Sequence, residues 1–121
     1  MLSFTSLLVA LIAVESNGNP DAVGDGGKAI GILQIHAAVV EDVNRVYRTE
    51  YVWPRDAKNP TTAKQICELY LRYWMSHHSR KTGQSVSYEM AARIWNGGPT
   101  GPTKSATLPY YRKVAKHLPR P

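Results

Sequence analysis

Leu7-Leu8-Val9-Ala10-Leu11-Ile12-Ala13-Val14-Glu15-Ser16-Asn17-Gly18-Asn19-Pro20 is the stretch on which the fold turns. An unbroken apolar run ends in an acid, and the acid leads straight into a turn. An element apolar on most faces belongs inside a fold, so a largely buried helix is expected over Thr5 to Ser16. Gly18, Asn19 and Pro20 then stop it. Glu15 becomes a carboxyl at the edge of a buried element. Desolvation disfavours the charged form of such a group, and a carboxylic acid protonated near neutral pH can hand its proton to a leaving oxygen. A glutamate at a helix end in open solvent would have no such role. The stretch alone allows either.

The same run has the look of a secretory signal core. It lacks a positive region ahead of it and a small-residue cleavage site behind it. It is also too short to cross a bilayer. It is therefore read as the first helix of the fold, with no membrane span and no visible export signal.

Further along, helical patterns dominate. Residues 17 to 29 hold four glycines, two asparagines and a proline, which marks an irregular segment. Ile30 to Ile35 is apolar but too brief to type as strand or helix. Val39, Val40, Val43, Val46 and Tyr47 follow a helical period between Ala38 and Tyr47. Tyr51 to Asn59 reads as a connector. Pro60 opens the clearest helix, where its missing N–H costs nothing. Residues 76 to 86 read as a second, polar connector. Ser87 is a candidate N-cap for the helix bearing Met90, Ala91, Ile94 and Trp95. Gly97 to Ala106 is a loop, and residues 109 to 118 a short last helix. There are no repeats, no heptads and no alternating runs long enough for a large sheet, so a small, mostly α domain is expected.

At 121 residues, 43% hydrophobic and 20% charged, one globular domain spanning 1–121 with a real core is expected. Fifteen Lys and Arg against nine Asp and Glu give a formal charge of +6. A basic surface gathers anions, whether nucleic acid, teichoic acid, acidic membrane or wall carboxylates, without choosing among them. Nucleic acid is not the expected partner. The basic residues are scattered, with only a modest cluster at Arg112, Lys113, Lys116 and Arg120. The single cysteine, Cys67, excludes an internal disulfide and reads as a small core residue.

Several segments bear on chemistry. Gly24-Asp25-Gly26-Gly27-Lys28-Ala29-Ile30-Gly31 is glycine-rich, but no Ser or Thr follows the lysine and a helix leads into it. It fails as a phosphate loop. Asp25 lies ten residues after Glu15 on a turn. The chain could fold back there to set two carboxyl groups across a cleft, as inverting glycosidases do with a water between them. A turn aspartate bonded to its own backbone is the simpler reading. His77 and His78 do not share a helix face and read as solvated rather than metal-bound. His36 either lines a cleft or starts the next helix. In Trp95-Asn96-Gly97-Gly98 the ring could stack on a sugar and the amide bond its hydroxyls, or the residues could be core and helix stop. Tyr110 and Tyr111 are open in the same way.

Taken together, four segments resemble the soluble lytic transglycosylase and goose-type lysozyme group of the lysozyme-like superfamily. Glu15-Ser16-x-x-Asn19-Pro20-x-Ala22 is similar to the family's Glu-Ser signature, and Gly31-Ile32-Leu33-Gln34-Ile35 to its Gly-Leu-Met-Gln segment. Ala92-Arg93-Ile94-Trp95-Asn96-Gly97-Gly98 resembles Ala-x-x-Tyr-Asn-x-Gly, and Thr107-x-x-Tyr110-Tyr111-x-x-Val114 resembles the terminal Thr-x-x-Tyr-Val-x-x-Val. Each motif is weak, but their shared order is specific.

The resemblance implies a mostly α lysozyme-like domain with a central helix carrying the acid and at most a small irregular β element. It implies an enzyme, either a muramidase or a lytic transglycosylase, cutting the β-1,4 bond between N-acetylmuramic acid and N-acetylglucosamine. Glu15 would be the general acid. Ser16, Gln34, His36, Trp95, Asn96 and Tyr110 would contact substrate or shape the cleft. Departures from the family pattern cluster near the turn. The sequence Gly24-Asp25-Gly26-Gly27 stands where lytic transglycosylases carry a Ser, and is closer to goose-type enzymes, where the Asp helps position a water. His36 stands where those enzymes often place a second Asp, Trp95 replaces Tyr, and Ala106 replaces a Glu. Hydrolysis with Asp25 as second catalytic residue is therefore expected ahead of anhydro-sugar formation. Expected partners are glycan strands, in the periplasm, outside the cell or delivered by a phage. A monomer with no metal and no organic cofactor is expected. The alternatives of another class are a basic helical nucleic-acid-binding module and a silent wall-binding relative.

Overall fold

The computed structural model describes residues 2–120. Six α-helices, three short 3₁₀ turns (Asp25–Gly27, Gly101–Thr103 and Ser105–Thr107) and one two-stranded sheet make up the regular structure among them. Helix α1 is Phe4–Glu15, α2 Ala37–Tyr47, α3 Arg55–Lys58, α4 Pro60–Thr82, α5 Tyr88–Gly97 and α6 Leu108–Ala115. Strands β1 (Val23–Gly24) and β2 (Ala29–Ile30) pair antiparallel, Val23 opposite Ile30 and Gly24 opposite Ala29. None of these helices is long and apolar enough to cross a membrane. The described residues cluster into two compact units. One runs through Val14 and resumes at Leu71; the other is Glu15–Tyr70.

The Glu15–Tyr70 unit buries Ile32, Leu33, Ile35, Val40, Val43, Ala57, Ala63, Ile66 and Cys67. The apolar run after β2 is thus core, and a backbone bridge between Ile30 and Ile35 folds it into a tight reversal. The stretch Tyr51–Asn59, expected as a connector, contains the short helix α3. Its buried Asp56 ties the helix to the chain before it, with Oδ2 accepting from Val52 N at 2.7 Å. Asn59 Oδ1 then accepts from Thr61 N and Thr62 N, which starts α4 with Pro60 at its first position.

In the other unit Leu7, Ala10 and Leu11 of α1 are fully buried, as the apolar run requires. Ser87 caps α5, its Oγ accepting from Met90 N at 3.1 Å. Met90, Ala91, Ala92 and Ile94 line the buried face of α5. The expected polar connector at 76–86 is corrected by the structure, because α4 continues to Thr82. Its buried stripe extends from Leu71 through Met75 to His78, which is only 7% exposed rather than solvated. Helical spacing continues beneath a polar composition, and Gly83 at φ 77° ends it.

Candidate functional site

Five of the eight candidate residues fall in the Glu15–Tyr70 unit. Glu15 is the last residue of α1 and is half-buried. Its charge reaches Cys67 in the buried part of α4. The Cys67 thiol is pushed well up, first by its burial and then by the nearby charges of Glu15 and Glu68. A thiol so placed is inert, consistent with Cys67 as a core residue. Glu15 therefore stands beside apolar core.

The segment after Glu15 is held by side chains that capture backbone. Ser16 Oγ donates to Ile32 O at 2.8 Å and accepts from Gly18 N at 3.1 Å. Asn19 Oδ1 accepts from Asp21 N. Gln34 Nε2 donates to two carbonyls, Ala22 O at 3.1 Å and Gly31 O at 3.0 Å. Both amide hydrogens of Gln34 are thus spent on the scaffold. Gly24 makes room for this, since a Cβ there would collide with Gln34 Oε1. Gly31 has a stricter duty. Its φ is 82°, and a Cβ would overlap the carbonyl of Ala57.

Asp25 sits at the exposed tip between the strands, with φ 50° in the left-handed region. It is not bonded to its own turn as a simple turn aspartate would be through its side chain. Its Oδ2 lies 2.8 Å from Nε2 of His36, the residue just before α2. The structure brings these two candidates together because the Ile30–Ile35 bridge returns the chain to the level of β1. Among the described residues, no three His, Cys, Asp or Glu side chains gather as a metal site needs.

Trp95, Asn96 and Tyr110 lie in the other unit. Trp95 and Tyr110 are half-buried, and Asn96 is exposed near the end of α5. The loop that follows is fixed by Arg93. Arg93 donates from Nε to Thr107 Oγ1 at 2.9 Å, from Nη1 to Glu89 at 2.9 Å and from Nη2 to Lys104 O at 3.0 Å. Thr107 Oγ1 donates onward to Gly101 O at 2.8 Å, and Lys104 Nζ reaches Gly97 O at 2.8 Å. This hub was missed by sequence reasoning. Its one signal is the spacing of Glu89 and Arg93, four apart on a helix.

The sequence model of the transglycosylase SLT domain matches residues 3–101. The chain belongs to that family. SLT domains act on peptidoglycan, in the periplasm or outside the cell, and this SLT domain is an enzyme of the lysozyme and lytic transglycosylase kind with that polymer as its substrate. No curated protein matches the chain. Among solved structures, it is similar to a chain in the crystal structure of Aeromonas hydrophila PliI in complex with Meretrix lusoria lysozyme. The TM-score is 0.69 at 24% identity, over 92% of this chain and 87% of that chain. That likeness speaks to the fold, which is the mostly α, lysozyme-like one expected of an SLT domain.

Proposed function

We propose that this SLT domain, working as one monomeric 121-residue domain, cleaves the β-1,4 bond between N-acetylmuramic acid and N-acetylglucosamine with Glu15 as general acid. The observation that supports this most is the setting of Glu15, a half-buried carboxyl at the C-terminal end of an apolar helix, beside the buried Cys67. A carboxyl held at the edge of apolar core is placed to give a proton to the bridging oxygen, as a general acid does.

In the reaction the bond from C1 to the bridging oxygen breaks through an oxocarbenium-like state while Glu15 protonates that oxygen. A water beside Asp25 then bonds to C1 from the opposite face and gives its proton to the Asp25 carboxylate. The product is a reducing sugar of inverted configuration. Ser16, Gln34, His36, Trp95, Asn96 and Tyr110 contact or shape the glycan site. In this reading Gln34 acts by shaping, since its amide hydrogens go to Ala22 and Gly31.

The family match supports a second reading. An SLT domain that holds no water would let the muramoyl 6-hydroxyl attack C1, its proton returning to Glu15, and leave a 1,6-anhydro end. The two products differ by one water in the mass of the released muropeptides.

The deciding experiment for the acid is Glu15→Gln. We expect lysis of purified wall to fall by about a thousandfold, with circular dichroism and thermal midpoint unchanged. A folded Glu15→Gln protein that still clears the wall removes Glu15 from the reaction.

A further inference from the structure

The pairing of Asp25 with His36 carries a consequence for the product. Asp25 is an exposed residue flanked by glycines, Gly24 before it and Gly26 and Gly27 after it. Its backbone holds the left-handed conformation at φ 50° without being glycine, a strained arrangement that persists only where the surroundings enforce it. A carboxylate on such a tip has many orientations open to it. The structure gives it an anchor, the ring of His36, at 2.8 Å from Oδ2. His36 is no part of the turn. It immediately precedes α2, directly after the Ile30–Ile35 bridge. The side chains of His36 and Asp25 are 44% and 67% exposed, and a pair so exposed adds little to folding stability. What the pair does fix is direction. With a proton on Nε2 the ring donates to Oδ2 and leaves Oδ1 to accept from water.

We propose that His36 is a positioning residue that decides between hydrolysis and anhydro-ring closure, by fixing the Asp25 carboxylate so that Oδ1 holds the attacking water. This rests on the reading of Glu15 as acid and Asp25 as the water-holding carboxylate. In the step so favoured, the water oxygen bonds to C1 as the bond from C1 to the bridging oxygen breaks. The bridging oxygen leaves with the Glu15 proton, and the proton from the water passes to Oδ1 of Asp25. Without the anchor the water is held poorly. The 6-hydroxyl oxygen then bonds to C1 instead, its proton going to Glu15 after the acid has given up its own.

The test is mass spectrometry of muropeptides released from purified peptidoglycan by the whole chain and by its variants. The wild-type chain should yield mainly reducing ends. In His36→Ala the ratio of reducing to anhydro ends should fall by tenfold or more, since a displacement of about 1 Å in a catalytic group costs up to about a hundredfold. His36→Gln, whose amide nitrogen can take the place of Nε2, should recover most of the wild-type ratio. Thermal midpoints should match throughout, which a merely structural role for His36 would not give. Should His36→Ala fail to fold, His36→Asn, with an amide too short to reach Oδ2, takes its place and should show the same loss. An unchanged ratio in His36→Ala or His36→Asn overturns the proposal. So does a Gln variant no better than Ala. In each of these cases the readings of Glu15 as acid and of Asp25 as water holder still stand. A wild-type chain that makes anhydro ends alone or releases nothing, or a fully active Glu15→Gln, instead overturns the reading beneath.

Discussion

Two glycine-bearing segments, residues 16–36 and residues 97–107, are made rigid by opposite means. The first follows Glu15 and is held by many small captures. Ser16, Asn19 and Gln34 each take one or two backbone groups, and no single side chain spans the whole turn. The second follows Asn96 and is held by a hub. One guanidinium gathers Glu89, Lys104 and Thr107, and Thr107 passes the order on to Gly101. A distributed scaffold tolerates the loss of any one side chain but not a change in its backbone path. A hub tolerates neighbouring changes but not the loss of its centre. The difference sets the order of damage that single substitutions should do.

The largest effect should come from the backbone path itself. Gly31→Ala forces a Cβ into the Ala57 carbonyl at a residue with φ 82°. Both the overlap and the conformation are unfavourable, and together they should cost about 4 kcal/mol or more. Urea unfolding should show the midpoint falling steeply, with wall lysis lost at temperatures where the wild type is folded. A loss under about 1 kcal/mol would show that the turn yields easily, and the picture of a fixed path through residues 16–36 would break.

Second in size is the hub. Arg93→Ala removes donors from Thr107, Lys104 and Glu89 at once. Since its side chain is mostly buried, 12% exposed, the loss should be about 2–3 kcal/mol. Arg93→Lys should recover only a part, because one ammonium cannot reproduce the fork. Equal stability of Arg93→Ala and the wild type in the same titration would mean the loop holds itself.

How much of this was legible in the residues divides along the same line. Elements set by local chemistry were readable. The apolar run to Glu15, Pro60 at a helix start and Ser87 as a cap each act within one turn of chain, and each stands where the pattern put it. Elements set by returns of the backbone were not. The two-residue strands are too short to leave a period, and the Asp25–His36 pair depends on the Ile30–Ile35 bridge, which no spacing rule contains. The end of α4 was hidden for a third reason. Ser76-His77-His78-Ser79 is polar in composition, yet Leu71, Met75 and His78 keep the three-to-four spacing that sustains a buried face. Composition hides there what position shows. The role of Arg93 is not legible in the sequence, because the residues it joins at 104 and 107 belong to a loop without periodicity.

A smaller effect is expected where the distributed scaffold loses a member. Gln34→Ala withdraws Nε2 from Ala22 O and Gly31 O. Each carbonyl keeps a backbone partner, since Gly31 N donates to Ala22 O at 2.9 Å and Gln34 N to Gly31 O at 3.1 Å. Neither acceptor is orphaned, so the loss should be about 1 kcal/mol. That value should fall clearly below the one for Arg93→Ala. If the two rank the other way in paired denaturation curves, the contrast between scattered captures and a single centre fails.

The least effect at neutral pH, and the sharpest in its pH dependence, concerns the support beneath Gly31. Asp56 sits in α3 beside Ala57, the residue against which Gly31 is pressed. Its carboxyl is held below the ordinary value of 3.8, mainly by the hydrogen bond from Val52 N. Burial opposes this, and Arg55 assists it. The folded form therefore binds the proton less readily than the unfolded chain does. The stability gained is present above the unfolded value and is lost as pH falls through the lower folded one. Asp56→Asn keeps an acceptor for Val52 N but gives up the charge, so at pH 7 it should be less stable than wild type by about 0.5–1 kcal/mol. Thermal midpoints measured down an acid series should converge, with the wild type losing its lead below pH 3.8 and the variant following a flatter line there. A gap that stays constant into strong acid would mean that Asp56 supports α3 by shape alone, and that the path through Gly31 owes nothing to its charge.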